Sequence, residues 1–186
     1  YNQLDKNNGK KFYDECMTMK EGLYLIVGGT GSGKSTTMTT ILDAQLNNFN
    51  IKTITLEDPI EYYYQNANYN NSTIIQREIG QDSPSFASGL RAAMRQNPDV
   101  ILVGEIRDPE TALSALQAAN TGHVVMATLH AKSPEMAQER IKFLINGVTD
   151  DFSFIKAVLY QKLQKDRNGD IEIMRSIYIN PINKYD

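Results

Sequence analysis

The chain has 186 residues, which suits one domain with a core of ordinary size and needs no second core. Apolar residues make up 41% and charged residues 22%, a balance that excludes disordered and fibrous proteins. The net charge of -3 gives no overall basic field, so we expect no nucleic-acid partner. The single cysteine, Cys16, excludes an internal disulfide framework and a cysteine-rich zinc site.

Hydropathy adds an expectation about location. The apolar runs, such as residues 23–27 and 100–103, are far too short to cross a bilayer. No signal peptide opens the sequence. We therefore expect a cytoplasmic protein.

The first half of the chain alternates strand and helix patterns. Residues 1–21 are expected to be a linker or leading segment. The continuous apolar run 23–27 ends in glycines and is typical of a strand buried on both faces. The next predicted elements are a helix over 34–47, a strand over 51–56, an exposed Asn- and Tyr-rich loop over 62–71 and a short strand over 73–75.

The second half continues this alternation. Three helix starts are marked by proline, at Ser83-Pro84, Pro109 and Ser133-Pro134. The remaining predictions are helix ends at 95, 122 and 146, strands over 99–104 and 124–129, a further helix over 152–164, and a strand over 171–179. Asn168-Gly169 indicates a hairpin turn or a tight helix-to-strand connection. The whole pattern predicts one α/β domain over 1–186, with a largely parallel central sheet flanked by helices.

The strongest chemical signal lies between the first predicted strand and the first predicted helix. The chain there matches G-x-x-x-x-G-K-[ST], and we expect nucleotide phosphates to be bound by Gly28, Gly29, Thr30, Gly31, Ser32, Gly33, Lys34, Ser35 and Thr36. The glycines let backbone N–H groups turn towards phosphate oxygens at a helix N-terminus. Lys34 can reach the β- and γ-phosphates, and the hydroxyl of Ser35 can ligate Mg²⁺.

Two acidic segments follow later strands and should open on the same edge of the sheet. Glu105 comes one residue after the position at which many P-loop proteins carry an aspartate, where this chain has Gly104. A glutamate there can orient the attacking water or help to position Mg²⁺. The second segment, 57–61, offers Glu57 and Asp58, which could instead hold Mg²⁺ through water.

These segments together resemble those of the secretion and pilus-motor ATPases of type II secretion, type IV pili and some type IV secretion systems. The P-loop, an acidic box at 55–62, a variant Walker B box at 101–108 and a histidine box at 121–130 occur here in the family's order. The resemblance runs from about residue 22 to residue 161. It implies a RecA-like core that hydrolyses ATP with Mg²⁺ and drives type IV pilus assembly or retraction, or protein secretion.

The resemblance also implies roles for single residues and partners. Glu57 and Glu105 would be catalytic or magnesium-positioning acids, His130 would contact the γ-phosphate, and Arg107 would lie beside the active site. We expect His123 to be structural. The implied partners are five further copies in a homo-hexamer of the full-length protein and a pilus or secretion platform in the inner membrane, at whose cytoplasmic face the motor would lie.

The chain departs from the family pattern in several ways, two of which affect the expected nucleotide site. Gly29 stands where proline is common, which loosens the turn without removing a phosphate donor. The family's N-terminal domain, which packs on the next subunit and supplies arginines to the nucleotide, does not precede the P-loop in this sequence. We therefore expect a piece of a longer protein, while a naturally short form stays open.

Rival functions stay open as well. A DNA translocase or helicase-like ATPase has a similar core, although the near-neutral charge argues against nucleic acid. A GTPase switch is suggested by Asn183-Lys184-Tyr185-Asp186, but no helix follows this run and no Asp-x-x-Gly element accompanies it. Calcium binding by Asp166, Asn168, Asp170 and Glu172 is disfavoured, because the glycine falls at the wrong position of the loop.

Overall fold

The computed structural model describes residues 6–64, 69, 71–149, 151–165 and 168–181. Its helices are α1 (Lys6–Cys16), α2 (Lys34–Asn48), α3 (Phe86–Met94), α4 (Pro109–Asn120) and α5 (Pro134–Leu144). Its strands are β1 (Gly22–Val27), β2 (Lys52–Glu57), β3 (Thr73–Glu78), β4 (Val100–Val103), β5 (Val124–Leu129), β6 (Ile155–Lys165) and β7 (Ile171–Ile179).

The strands form one seven-stranded sheet in the order β3-β2-β4-β5-β1-β6-β7. Every neighbouring pair is parallel except β6 and β7, which are antiparallel. Every residue of β1, β4 and β5 is buried, as is typical of parallel strands that are covered on both faces. The predicted α/β fold with a largely parallel sheet is therefore confirmed.

Helices cover both faces of the sheet and produce two cores. Successive side chains of a strand point to opposite faces, so Leu23 and Leu25 pack with α3, α4 and α5, while Tyr24 and Ile26 pack with α1 and α2. The carboxyl ends of β1, β2, β4 and β5 lie at one edge of the sheet because these strands are parallel. This edge carries the residues that the sequence singles out.

Capping side chains begin the helices on the second face. Asp108 accepts a hydrogen bond from the N–H of Thr111 at the start of α4, and Ser133 does the same for Met136 at the start of α5. The predicted cap of α3 at Ser83 is wrong. Ser85 caps that helix instead, because Ser83 is buried in the preceding turn, where its carbonyl accepts the N–H of Gly80.

The predicted helix over 152–164 is also wrong, because most of this segment is strand β6. Its apolar residues occur at a spacing that also fits a helix, so periodicity does not separate the two structures. Pairing decides the outcome: β6 lies parallel to β1 on one side and antiparallel to β7 on the other. The connection at Asn168-Gly169 is therefore a hairpin, and the helix-to-strand alternative is wrong.

Two further segments differ from the expectation. The leading segment contains α1, whose Phe12 and Cys16 are buried against the core. In the Asn- and Tyr-rich loop, Tyr62 and Tyr63 are exposed as expected, but Tyr64 is buried. No helix within the described ranges has both the length and the apolar character needed to cross a membrane.

Candidate active site

A cleft of about 330 Å³ lies at the carboxyl edge of the sheet. The P-loop forms one wall, and the segments that follow β2, β4 and β5 form the other. The cleft therefore brings together segments that are far apart in sequence. Its charged or polar lining residues include Lys34, Ser35, Glu57, Asp58, Glu61, Glu105, Arg107 and His130. All the predicted catalytic residues line this one cleft.

The P-loop has the backbone that its glycines predict. Gly28 and Gly33 have φ angles of 157° and 80°, and Gly33 lies at the N-cap of α2. A Cβ on Gly28 would collide with the carbonyl oxygen of Gln161 and lie 2.6 Å from Ser32 Oγ. In contrast, a Cβ on Gly29 or Gly31 would meet nothing within 4 Å. The loop is therefore tightly packed beneath and open above, where phosphate groups would lie.

The N-terminus of α2 is suited to anion binding. The first N–H groups of an α-helix have no partner within the helix, and no side chain caps them in α2. These N–H groups are therefore available to an anion. Lys34 extends back over the loop, and its Nζ donates to the carbonyl oxygens of Gly29 at 2.8 Å and Gly28 at 3.2 Å. Burial lowers the pKa of Lys34, and the negative charge of Glu105 acts in the opposite direction.

The remaining P-loop side chains divide into three groups. Thr30 and Ser35 are exposed and line the cleft. Ser32 is buried, and its hydroxyl has no hydrogen-bond partner among the described residues. Thr36 is exposed in the first turn of α2 but does not line the cleft.

Glu105 faces the P-loop from the end of β4. Its Oε2 accepts a hydrogen bond from Arg107 Nε at 2.6 Å, and its Oε1 lies 3.2 Å from His130 Nε2. Its side chain is only 16% exposed. Strand β5 fixes the backbone on both sides of Glu105. The hydroxyl of Thr128 donates to the carbonyl of Gly104, and the carbonyl of Thr128 accepts the N–H of Ile106.

Glu57 and Asp58 form the adjacent part of the same wall. Glu57 Oε1 accepts hydrogen bonds from Thr55 Oγ1 at 2.6 Å and from Gln76 Nε2 at 3.1 Å. Asp58 Oδ2 lies 3.7 Å from Arg107 Nη1. The acidic box and the variant Walker B box are therefore joined through Arg107, a relationship that sequence spacing alone does not reveal.

Comparison with known proteins identifies the family. The family described as "Type II/IV secretion system protein" matches residues 2–170. The chain belongs to this family. Its relatives include the protein YggR of Escherichia coli, which is 40% identical over 96% of this chain and 56% of its own length. The type IV pilus retraction ATPase PilT of Pseudomonas aeruginosa is 40% identical over 77% of this chain and 40% of its own length.

A solved structure agrees with this assignment. The pilus retraction motor PilT with bound ADP is 36% identical, with a TM-score of 0.75 over 92% of this chain and 51% of that one. The RecA-like fold that the resemblance implies is therefore confirmed. The chain spans about half the length of the curated relatives it matches.

The two histidines of this secretion-family chain have different surroundings. His130 lines the cleft and reaches Glu105. His123 lies at the opposite end of β5, where its Nδ1 is 3.1 Å from the carbonyl oxygen of Ala118 at the end of α4. This position agrees with the structural role that we expected for His123.

One residue beside the P-loop was missed by sequence reasoning. Gln161 on β6 is buried, and its side-chain amide contacts Ser32 and Thr37. The predicted helix over 152–164 concealed it. A strand there would have placed Gln161 on the same face as Ala157 and Leu159, where a polar residue in a buried row is a signal.

Two rival motifs of the sequence fall wholly or partly outside the described residues. The guanine-reading match at Asn183-Lys184-Tyr185-Asp186 lies outside the described residues. Asp166, the first residue of the disfavoured calcium loop, also lies outside them. Asn168, Asp170 and Glu172 adjoin the β6–β7 hairpin and do not line the cleft.

Proposed function

We propose that this chain is the ATP-hydrolysing domain of a motor that drives type IV pilus assembly or retraction, or protein secretion. The observation that carries the proposal is the placement of a complete P-loop opposite Glu105 in a single cleft. The family and its PilT relative support the same activity. The reaction is phosphoryl transfer from ATP to water.

The residues around the cleft have complementary parts in this reaction. The P-loop amides and Lys34 bind the phosphates and offset the charge that spreads over the γ-phosphoryl oxygens. Glu105 accepts a proton from, or orients, the attacking water. Arg107 and His130 hold the two oxygens of Glu105 and thereby set the direction of the carboxylate.

The cleft also fits Mg²⁺. This ion is usually held by substrate phosphates, water and one or two protein oxygens rather than by a cage of side chains. No cluster of three or more His, Cys, Asp and Glu residues with metal-site geometry occurs in the described part of the chain, so such a cage is not available there. Ser35 would ligate the ion, with Glu105 and either Glu57 or Asp58 acting through water. Bound Mg²⁺ would neutralise charge between the β- and γ-phosphates.

The assembly belongs to the same proposal. Among the described residues, Arg107 is the only arginine that lines the cleft, and Glu105 already accepts its hydrogen bond. A second arginine for the γ-phosphate would then come from a neighbouring subunit of a homo-hexamer. We place this hexamer at the cytoplasmic face of the inner membrane, against a pilus or secretion platform. If so, turnover per site rises with protein concentration.

The test compares nucleotides and cofactors in one series. Calorimetric titration and phosphate release are measured with ATP and GTP, each with Mg²⁺ or with EDTA, and then with added single- and double-stranded DNA. The proposal expects Mg²⁺-dependent binding and hydrolysis of ATP, weaker use of GTP and no stimulation by DNA. Preference for GTP would support the switch alternative, and strong stimulation by DNA would support a translocase.

A further inference from the structure

Gln161 lies directly under the P-loop. In the parallel pairing of β6 with β1, Tyr160 is the partner of Val27, so Gln161 adjoins the point where β1 passes into the loop. Gln161 is only 1% exposed. A primary amide at such a depth is unfavourable unless hydrogen bonds satisfy it. The partners that satisfy it are therefore informative.

Both ends of the Gln161 amide bind the phosphate-binding segment. Its Nε2 donates to the carbonyl oxygen of Ser32 at 2.5 Å, and its Oε1 accepts the hydroxyl of Thr37 at 2.8 Å. Arg175, the cross-strand partner of Gln161 on β7, also donates to Oε1 through Nε, at 3.3 Å. One side chain thus joins the loop, the first turns of α2 and the outer hairpin.

The bond to Ser32 affects the direction of an amide that faces the phosphates. In a planar trans peptide unit, the carbonyl of Ser32 and the N–H of Gly33 point in opposite directions. A carbonyl held towards β6 therefore directs the Gly33 N–H away from β6 and towards the cleft. The packing is close, since a Cβ on Gly33 would lie 2.9 Å from Gln161 Nε2.

We propose that Gln161 is a positioning residue that holds the P-loop in its phosphate-binding shape. The inference rests on the nucleotide binding proposed above, and it adds a residue that none of the four sequence boxes contains. Gln161 does not touch the nucleotide in this proposal. It acts through the peptide unit between Ser32 and Gly33, and through Thr37.

The test separates positioning from simple core packing. Gln161→Met keeps an unbranched side chain of similar size and removes all three side-chain hydrogen bonds, whereas Gln161→Glu keeps the shape and the acceptor but loses the donor. Gln164→Met, on the same strand and nearer the hairpin, is the matched control. For each protein, the dissociation constant for Mg-ADP is measured by calorimetry, and the free energy of unfolding is measured in urea.

We expect the dissociation constant to rise about tenfold or more in both Gln161 variants, the equivalent of one lost hydrogen bond. The control should stay within about twofold of the wild type, since Gln164 pairs with Glu172 near the hairpin and, among the described residues, forms no hydrogen bond with the loop. Thr37→Val should weaken binding less, and Gln161→Met with Thr37→Val should bind no worse than Gln161→Met alone, because the two residues act through one bond network.

The possible failures are distinct. If the wild type and the control bind no nucleotide, the proposed function falls, and this inference with it. If the wild type binds and the Gln161 variants bind equally well despite a lower free energy of unfolding, Gln161 is only a packing residue and the inference alone is overturned. Should Gln161→Met not fold, Gln161→Glu and Thr37→Val decide the question by the same measurement.

Discussion

Arg107 donates to Glu105 through Nε at 2.6 Å, while its Nη1 lies 3.7 Å from the carboxylate of Asp58. One guanidinium therefore connects the acids that follow β2 and β4. The arginine is more than half exposed, but the side chain of Glu105 is only 16% exposed. The pair is thus better placed to direct a carboxylate than to stabilise the fold, because exposed ion pairs contribute little to stability.

The first prediction concerns this pair. Arg107→Ala should lower the turnover of ATP by about tenfold or more, since the Glu105 carboxylate loses the donor that directs it. The affinity for Mg-ADP should change by less than about threefold, because phosphate binding depends mainly on the P-loop. Steady-state phosphate release and calorimetry measure the two quantities.

Arg91→Ala is the control for Arg107→Ala. Arg91 forms an ion pair with Glu110 at 2.8 Å between two exposed side chains outside the cleft. Its removal should leave turnover and affinity close to the wild-type values. Equal effects of the two substitutions would contradict a role for Arg107 in the reaction.

The second prediction separates binding from hydrolysis. Glu105→Gln should bind Mg-ATP almost as the wild type does, yet turn it over roughly 100-fold more slowly, since the amide cannot accept a proton from water. Single-turnover phosphate release and calorimetry test this expectation. Glu110→Gln is the control at an exposed carboxylate. A parallel loss of binding and turnover in Glu105→Gln would instead indicate that Glu105 shapes the site.

The third prediction concerns the P-loop lysine. Lys34→Ala should weaken the binding of Mg-ATP by about 10- to 100-fold, because charge-assisted hydrogen bonds to phosphate are lost. Lys10→Ala removes an exposed lysine that pairs with Asp14 on α1, and it should bind normally. Unchanged affinity in a folded Lys34→Ala protein would contradict the assignment of the nucleotide site.

The fourth prediction concerns stability at alkaline pH. Burial, with a smaller effect of Glu15, raises the pKa of the Cys16 thiol above its ordinary value of 9.0. Above this pH the unfolded chain releases the proton while the folded chain keeps it, so the free energy of unfolding falls as the pH rises. Below it, both states are neutral and the contribution of the thiol is fully present.

Urea unfolding at about pH 8 and about pH 10 measures this effect. Between these two pH values, the free energy of unfolding of Cys16→Ala should fall by about 1.4 kcal/mol less than that of the wild type. This is the difference expected for one suppressed ionisation. The variant has a lower stability at both values because a cavity is created, so the comparison uses the change with pH. Burial also raises the pKa of Tyr24 in both proteins, and only the smaller effect of Cys16 on Tyr24 is lost in the variant. An identical pH dependence would contradict a buried, neutral thiol.

The candidate site was largely predictable because its parts are short and local. The P-loop motif requires a strand, a glycine turn and a helix, and those elements follow one another in the chain. Glu57 and Glu105 could be placed on the same edge because they follow parallel strands. The helix over 152–164 could not be excluded, since strand and helix patterns are both compatible with its apolar spacing.

The sequence by itself determined the P-loop motif, the alternation of strands and helices from β1 to α5, and the family. Each of these is encoded in contiguous residues, whose backbone preferences act over a few positions. Only the tertiary structure decided the strand conformation of β6 and the contact of Gln161 with Ser32, two residues that are 129 positions apart. The physical reason is that a strand is stabilised by partners elsewhere in the chain, so β6 depends on β1 and β7 rather than on its own periodicity.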